Sequence, residues 1–189
     1  GLVCSREDPR GAFAPKPALA AYATLIRQIA RAEFVARDET GAGIYSYRFR
    51  REGRDVRVMW SLRPTGAALA SDAPLEVTDM MGAVKTVHPV NGHVHLHLSD
   101  APMYVVGTVA GMARDDRFPA RVPERSAIGD PLTVEFSLPR GARAMSVRAG
   151  GQTVPEGARV VLPAAETEGE RWIPLEVRAG ERLVCTGTV

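Results

Sequence analysis

Alternation of apolar and polar residues dominates the chain from Gly43 onward, and this pattern constrains the fold more than any other feature. Successive side chains of a β-strand turn to opposite faces, so a half-buried strand shows a period of two. The first two segments with this period are IYSYRFRR and RDVRVMWSL. They flank residues 51–54, where Gly53 is free to adopt a positive φ. The sequence therefore predicts a β-hairpin here.

Short segments with the same period follow along the rest of the chain, separated by Gly, Pro, Asn and Asp. The first group is PLEVTD, AVKTV, HVHLHL and PMYVVGT, and the second is LTVEFSL, RAMSVRA, ARVVLP, RWIPLEV and RLVCTGTV. Regular spacing of this kind is typical of antiparallel sandwiches. The sequence predicts an all-β protein with two antiparallel β-sandwich domains behind one N-terminal helix.

The helix is predicted to begin at Pro17, which suits a first helical turn. Apolar residues then recur at spacings of three and four, and Ala and Leu favour a helix. The run ALAAYATLIRQIARAEF should stay helical until Gly41 and Gly43 break the pattern. The residues on its apolar face are Leu19, Tyr22, Leu25, Ile26 and Ile29.

A connector is predicted between the two groups of strands. The stretch GMARDDRFPARVPERSAIGDP has little periodicity and three prolines, as in a semi-rigid link. We therefore expect three segments. Residues 1–35 contain the helix, 36–111 form the first sandwich, and 124–189 form a small immunoglobulin-like sandwich.

Composition and charge exclude several classes of protein. The 189 residues carry a formal charge of only +2, with arginines scattered among acidic residues, so we expect no nucleic-acid partner. No apolar run approaches the roughly 20 residues of a membrane span, so we expect no membrane partner. Cys4 and Cys185 are too few for a disulfide framework and would pair only if the two ends of the chain meet. Two unpaired thiols are the favoured interpretation.

Three histidines alternate with apolar residues at His93, His95 and His97, so they share one face of a strand. Neighbours two residues apart lie about 6.5 to 7 Å apart, which would let His95 chelate a metal ion with either neighbour. The first and third lie about 13 Å apart, too far to share one ion easily. Asp100 and His88 are the nearest candidates for further ligands. The favoured interpretation is a polar or interface-facing side of a strand whose apolar residues lie in the core.

The chain has no recognisable catalytic constellation. A glycosidase needs two carboxylates flanking one bond. The acidic run Glu166, Glu168 and Glu170 has no aromatic neighbours in sequence, and Asp115-Asp116 lies in the connector, so both should be solvated turns. There is also no nucleophile elbow and no phosphate-binding glycine loop.

Exposed aromatic rings are typical of carbohydrate-binding surfaces, because the C–H faces of sugars stack on them. Aromatic residues make up only 6% of the chain. Trp60 and Tyr104 lie among apolar strand residues and should pack inside. Trp172 and Tyr45 are the candidates for sugar contact.

Several short motifs in the first 110 residues resemble the C-terminal part of clan A glycoside hydrolases, with family 39 the nearest in pattern. Gly1-Leu2-Val3, followed by Lys16-Pro17-Ala18 and an alanine-rich helix, is similar to the end of their (β/α)₈ barrel. The motifs similar to the sandwich that packs against such barrels are Tyr45-x-Tyr47-x-Phe49, Val56-x-Val58-x-Trp60-Ser61, Val77-Thr78-Asp79-Met80-Met81-Gly82 and Ser99-Asp100-Ala101-Pro102-Met103-Tyr104-Val105. In the second module, GDPLTVEFSLP resembles generic bacterial immunoglobulin-like domains.

The resemblance implies that residues 1–35 are the last loop and helix of a barrel and that the chain is part of a larger bacterial enzyme. In such enzymes the catalytic glutamates lie at the ends of upstream barrel strands. No catalytic residue is therefore carried over to this chain, and no cofactor is implied. The implied partner is the upstream barrel, and the resemblance favours a secreted or periplasmic location.

Three functional hypotheses follow. The leading one is a non-catalytic accessory region that stabilises a glycoside hydrolase barrel and contacts its polysaccharide. The second is a stand-alone carbohydrate-binding module that uses Trp172 and Tyr45. The third is a metal-binding β protein built on His93, His95 and His97.

Overall fold

The computed structural model describes residues 2–9, 11–41, 43–115, 120–123, 126–138, 145–169 and 171–188. Within these ranges the chain is mostly β and contains one helix, α1 (Pro17–Ile29), which confirms the predicted all-β, sandwich-like class. The strands before residue 115 are β1 (Glu33–Arg37), β2 (Ile44–Arg51), β3 (Arg54–Ser61), β4 (Thr65–Ala70), β5 (Leu75–Thr78), β6 (Val84–Val87), β7 (His93–Leu98), β8 (Met103–Val106) and β9 (Gly111–Arg114). Those after it are β10 (Ala120–Arg121), β11 (Leu132–Phe136), β12 (Met145–Ala149), β13 (Gln152–Val154), β14 (Arg159–Leu162), β15 (Pro174–Ala179) and β16 (Arg182–Thr188).

The helix ends earlier than its sequence pattern predicts. Arg31 adopts a φ of 61°, a left-handed conformation that stops a helix of L-residues. The chain then turns and Glu33–Arg37 pairs with β2 as an edge strand, which the sequence analysis did not predict. Pairing with a neighbouring strand therefore overrides the helical pattern after Ile29.

A six-stranded antiparallel sheet forms one layer of the molecule, in the order β1-β2-β3-β8-β5-β6. The predicted hairpin is present, with Arg51 opposite Arg54 at its tip and Gly53 at a φ of 77°. The inner face of this sheet packs against β4 and β7 around a first core that includes Met59, Leu69 and Leu96.

The inner face of β3 carries the more polar set of its side chains. Arg57, Met59 and Ser61 are almost fully buried. On the opposite face Val56 and Val58 are buried as well, and Trp60 is half-buried. Arg57 Nε donates to Asp38 Oδ2 at 3.1 Å, so this buried cation has a partner. Sequence alternation thus indicated the two faces correctly, and a buried ion pair lets the polar face turn inward.

A seven-stranded sheet runs in the order β13-β12-β15-β16-β7-β4-β9, and a three-stranded sheet in the order β10-β11-β14. These two sheets enclose a second core that includes Val134, Val147 and Val177. The seven-stranded sheet extends across the predicted boundary between residues 111 and 124. The proposed division of the chain into segments stays a prediction.

The two cores meet where β16 pairs in parallel with β7. Cys185 lies opposite His95, and Gly187 lies opposite His97. His88 N also donates to Leu183 O at 2.8 Å, so backbone hydrogen bonds link the two cores at more than one place. A Cβ atom on Gly187 would approach His97 O to 2.1 Å. The junction therefore requires a residue without a side chain at position 187.

An ion pair adds to the contact between the layers. Lys85 Nζ in β6 lies 2.9 Å from Glu176 Oε1 in β15, and Arg178 Nε donates to Glu176 Oε2 at 3.2 Å. Burial favours the neutral form of Glu176, but hydrogen bonds and charge from Lys85 and Arg178 outweigh it, so the pKa lies below its ordinary value. The carboxylate should stay ionised while it joins the two sheets.

Replacing Gly187 by alanine should destabilise the chain by about 1–3 kcal/mol, because the new methyl group would overlap the backbone of β7. Urea unfolding, followed by circular dichroism, would measure the change. Gly111→Ala is the matched control, since a Cβ at this strand position meets nothing within 4 Å. Equal stabilities of the two variants would contradict the tight junction.

Candidate functional site

An apolar groove of about 540 Å³ lies between α1 and the outer face of the six-stranded sheet. The helix contributes a stripe of residues spaced three and four apart, and the sheet contributes the half-buried ring of Trp60. Among the described lining residues, Asp100 carries the one charged group. The lining residues are Leu2, Ala18, Ala21, Tyr22, Leu25, Val58, Trp60, Met80, Asp100, Pro102 and Tyr104.

Polar contacts fix the position of the helix beside this groove. Gln28 Nε2 donates to Thr78 Oγ1 at 3.1 Å, and Arg51 Nη1 donates to the carbonyl oxygens of Arg27 and Gln28 at the helix end. Thr24, the one fully buried residue of the helix, packs against Gly82. A Cβ on Gly82 would lie 2.9 Å from Thr24 Oγ1, so the close approach requires glycine. The helix is therefore seated on the sheet by these contacts while its apolar stripe faces an open groove.

Apolar side chains around the groove remain exposed. Tyr22 keeps 50% of its surface exposed, Ile26 46% and Leu2 39%. Phe34 on the edge strand β1 is also 56% exposed. Exposed apolar side chains around a groove are typical of a contact with another polypeptide surface.

The predicted sugar contact Tyr45 belongs to a stack of three rings. Trp60 lies between Tyr45 and Tyr47, with centroid distances of 5.3 and 5.5 Å and nearly parallel planes. The guanidinium of Arg37 lies 5.7 Å from the Tyr45 centroid. Stacking partners therefore already cover part of the ring surface that a sugar would use. Tyr104 is buried as predicted, whereas Trp60 lines the groove.

Trp172, the other predicted sugar contact, lies in the segment before β15 and is 47% exposed. Its neighbour Arg171 donates to Pro163 O at 3.0 Å, which holds this segment near the end of β14. The structure does not bring Trp172 together with Tyr45, because Trp172 lies next to β15 of the seven-stranded sheet and Tyr45 lies in β2 of the six-stranded one. Their role in sugar binding stays a prediction.

The histidine strand β7 is buried on both faces. Its alternate residues Val94 and Leu96 lie in the first core, while His95 and His97 are almost fully buried on the opposite side. His95 Nδ1 lies 3.0 Å from Asp115 Oδ2. His93 is half-buried and its Nδ1 lies 3.0 Å from Asn91 O. The histidines thus face an interface within the chain.

The metal hypothesis gains no support from this arrangement. In the part of the chain that the structure describes, no three His, Cys, Asp or Glu side chains lie where they could hold one ion. The partner of His95 is a carboxylate, and His97 approaches the backbone at Thr188 and Ala120. Metal binding by His93, His95 and His97 stays untested.

Asp115 differs from its predicted environment. The sequence indicated a solvated connector, but the carboxylate is only 10% exposed and lies against His95. Spacing in the sequence gave no signal for this pair. Asp115 directly follows β9 and His95 lies in β7, and β4 separates these two strands in the sheet. Asp116 and Glu170 lie outside the described residues. Glu166 and Glu168 are exposed, as expected.

Both cysteines are buried free thiols. Burial raises the pKa of Cys185 to about 12, and the negative charge of Asp115 adds to the effect. Such a thiol remains protonated and is a poor nucleophile. Because both thiols are free, Cys4 and Cys185 form no disulfide in this structure.

No helix among the described residues combines the length and apolar character needed to cross a bilayer.

A comparison with solved structures finds a likeness over part of the chain. A solved structure of a family 39 glycoside hydrolase from the gut symbiont Bacteroides cellulosilyticus WH2 aligns with a TM-score of 0.45 and 22% sequence identity. The alignment covers 51% of this chain and 21% of that one, so it spans about a fifth of the enzyme's length. Likeness at this level carries no argument about function. No family model and no curated protein matches the chain.

Acid should destabilise the protein through His97. Burial lowers the pKa of His97, and the backbone at Thr188 and Ala120 only partly offsets this. An unfolded histidine binds a proton below about pH 6.5, whereas buried His97 stays neutral, so its contribution to stability is present above that pH and declines below it. One such proton gives a slope of at most about 1.4 kcal/mol per pH unit.

Urea unfolding at several pH values between 7.5 and 5 would measure this slope. His97→Gln should flatten it, because the substituted side chain does not titrate. His93→Gln is the matched control on the same strand and should keep the slope of the unmodified protein. If the free energy of unfolding of His97→Gln kept the same dependence on pH, the prediction would be wrong and other groups would cause the acid sensitivity.

Proposed function

We propose that this chain is a non-catalytic accessory region of a glycoside hydrolase and that its apolar groove packs against the catalytic barrel of the same polypeptide. One observation carries the proposal. Every residue that lines the groove belongs either to the motifs that resemble such enzymes or to the helix that follows Lys16-Pro17-Ala18. Motifs far apart in sequence thus converge on one open surface.

Residues from the barrel-like motifs and residues from the sandwich-like motifs lie on opposite sides of the groove. Leu2 and Ala18 come from the motifs similar to the end of a barrel, and Trp60, Met80 and Tyr104 come from those similar to the accessory sandwich. In this proposal α1 corresponds to the last barrel helix, and its contact with the sheet corresponds to the contact between barrel and sandwich. The apolar stripe beside that contact supports further packing by other barrel elements.

The chemistry of the lining favours a protein surface over a sugar as occupant. A sugar ring carries hydroxyl groups that need hydrogen-bonding partners when they are buried. Among the described lining residues Asp100 carries the one ionised group, and the other polar groups are the phenols of two tyrosines and the indole N–H of Trp60. Leucine, isoleucine or aromatic side chains from a neighbouring helix would fill such a groove at a gain of about 25 cal/mol per Å² of apolar surface.

The complete gene provides the first test. We expect it to encode barrel strands before Gly1, with a catalytic glutamate at the end of a strand. A gene without barrel-encoding sequence upstream of Gly1 would refute the proposal.

Substitution in the groove provides the second test. Leu25→Glu in the polypeptide encoded by the complete gene should lower its free energy of unfolding by about 2–4 kcal/mol, because the charge would be buried against the barrel. Val161→Glu, at a half-exposed strand position away from the groove, is the control and should change it by less than about 0.5 kcal/mol. Calorimetry would measure both variants. Equal effects would show that the groove stays open to solvent.

A further inference from the structure

A second cavity, of about 330 Å³, lies at the tip of the β2–β3 hairpin. It shares no residue with the apolar groove and its lining is mainly polar. Its volume lies at the lower end of the range typical of small-molecule sites. The residues that line it are Arg50, Gly53, Arg54, Asp55, Gly107 and Thr108.

The walls of this cavity are held by specific contacts. Arg50 Nε donates to Asp55 Oδ1 at 2.7 Å, and Gly107 N donates to Asp55 O at 3.3 Å. Gly107 has a φ of 138°, and a Cβ there would lie 2.6 Å from Leu75 Cδ2. The backbone can therefore take this course only with glycine, and the residues around the cavity keep their relative positions.

Positive charge exceeds negative charge around this cavity. Asp55 forms ion pairs with Arg50 and, at 4.0 Å, with Arg48. Within the lining itself two arginines, Arg50 and Arg54, stand against one carboxylate, that of Asp55. The local excess favours an anionic ligand.

Arg54 is the cation most available to a ligand. It lines the cavity and is exposed, and no ion pair among the described residues includes it. A guanidinium group binds a carboxylate through two parallel hydrogen bonds. Arg54 would therefore supply the anion contact, while Arg50 remains bound to Asp55.

The lining also carries groups that a simple anion cannot use. Asp55 presents a carboxylate, which accepts hydrogen bonds from hydroxyl groups, and Thr108 presents a hydroxyl group. A hexuronate ring matches both requirements, since it has one carboxylate for Arg54 and several hydroxyl groups for Asp55 and Thr108. A neutral hexose would satisfy only the second requirement.

We infer that this cavity is a subsite for one hexuronate unit of an acidic polysaccharide. The assignment to a saccharide rests on the proposed function. The positive charge of the lining, together with its carboxylate and hydroxyl groups, is what selects an acidic saccharide over a neutral one. Binding of the chain to an acidic polysaccharide would place that polymer along the edge of the sandwich, away from the apolar groove.

Isothermal titration with tetragalacturonate at low salt would test the inference, with cellotetraose as the neutral arm and inorganic phosphate as the simple-anion arm. Tetragalacturonate should bind at least tenfold more tightly than either. Arg54→Ala should weaken its binding about tenfold, because the substitution removes the cation that pairs with the carboxylate. Arg182→Ala, at an exposed arginine of the seven-stranded sheet, is the control and should leave the affinity unchanged.

Absence of tetragalacturonate binding would overturn the inference, as would an Arg54→Ala variant that binds with full affinity. Equal binding of phosphate and tetragalacturonate would reduce the cavity to a general anion site and would also overturn it. These outcomes are separate from the test of the proposed function. A barrel encoded upstream of Gly1 together with failed titrations would remove only the hexuronate subsite.

Discussion

Parallel pairing of β16 with β7 is the contact on which the rest of the structure depends. It makes one seven-stranded sheet from strands at distant positions in the chain, and each half of that sheet covers a different core. A strand buried on both faces normally carries apolar residues throughout. Here β7 instead carries His95 and His97 on its second face, and the contact of His95 with Asp115 offsets part of the cost of burying that face.

The same sheet arrangement explains why the groove is open. The six-stranded sheet uses its inner face for the first core, so its outer face, with Trp60 and Tyr104, must be covered by something else. A single helix covers part of it. Gln28 and Arg51 hold that helix by hydrogen bonds, Thr24 packs against Gly82, and part of its apolar stripe lines the open groove. The exposed surface that remains is the basis for proposing a neighbouring barrel.

Local pattern predicted most of the strands, and it failed at particular places for physical reasons. The hairpin at Gly53 and the alternation of HVHLHL depend on neighbours in sequence, so both were predicted correctly. The edge strand β1 was missed, because residues 33–37 form a strand only by pairing with β2. The buried state of Asp115 was missed for a similar reason, since its partner His95 is distant in sequence. No local pattern reports a partner of that kind.

The sequence by itself determined the all-β class, the two faces of strands such as β2 and β3, and the motifs that resemble a glycoside hydrolase, because these depend on residue type and short spacing. Tertiary structure alone decided that the polar face of β3 is buried, that the histidines face an internal interface, and that the motif residues meet around one groove. Each of these outcomes depends on contacts between segments far apart in the chain. Such contacts are set by the packing of whole sheets, which no short stretch of sequence encodes.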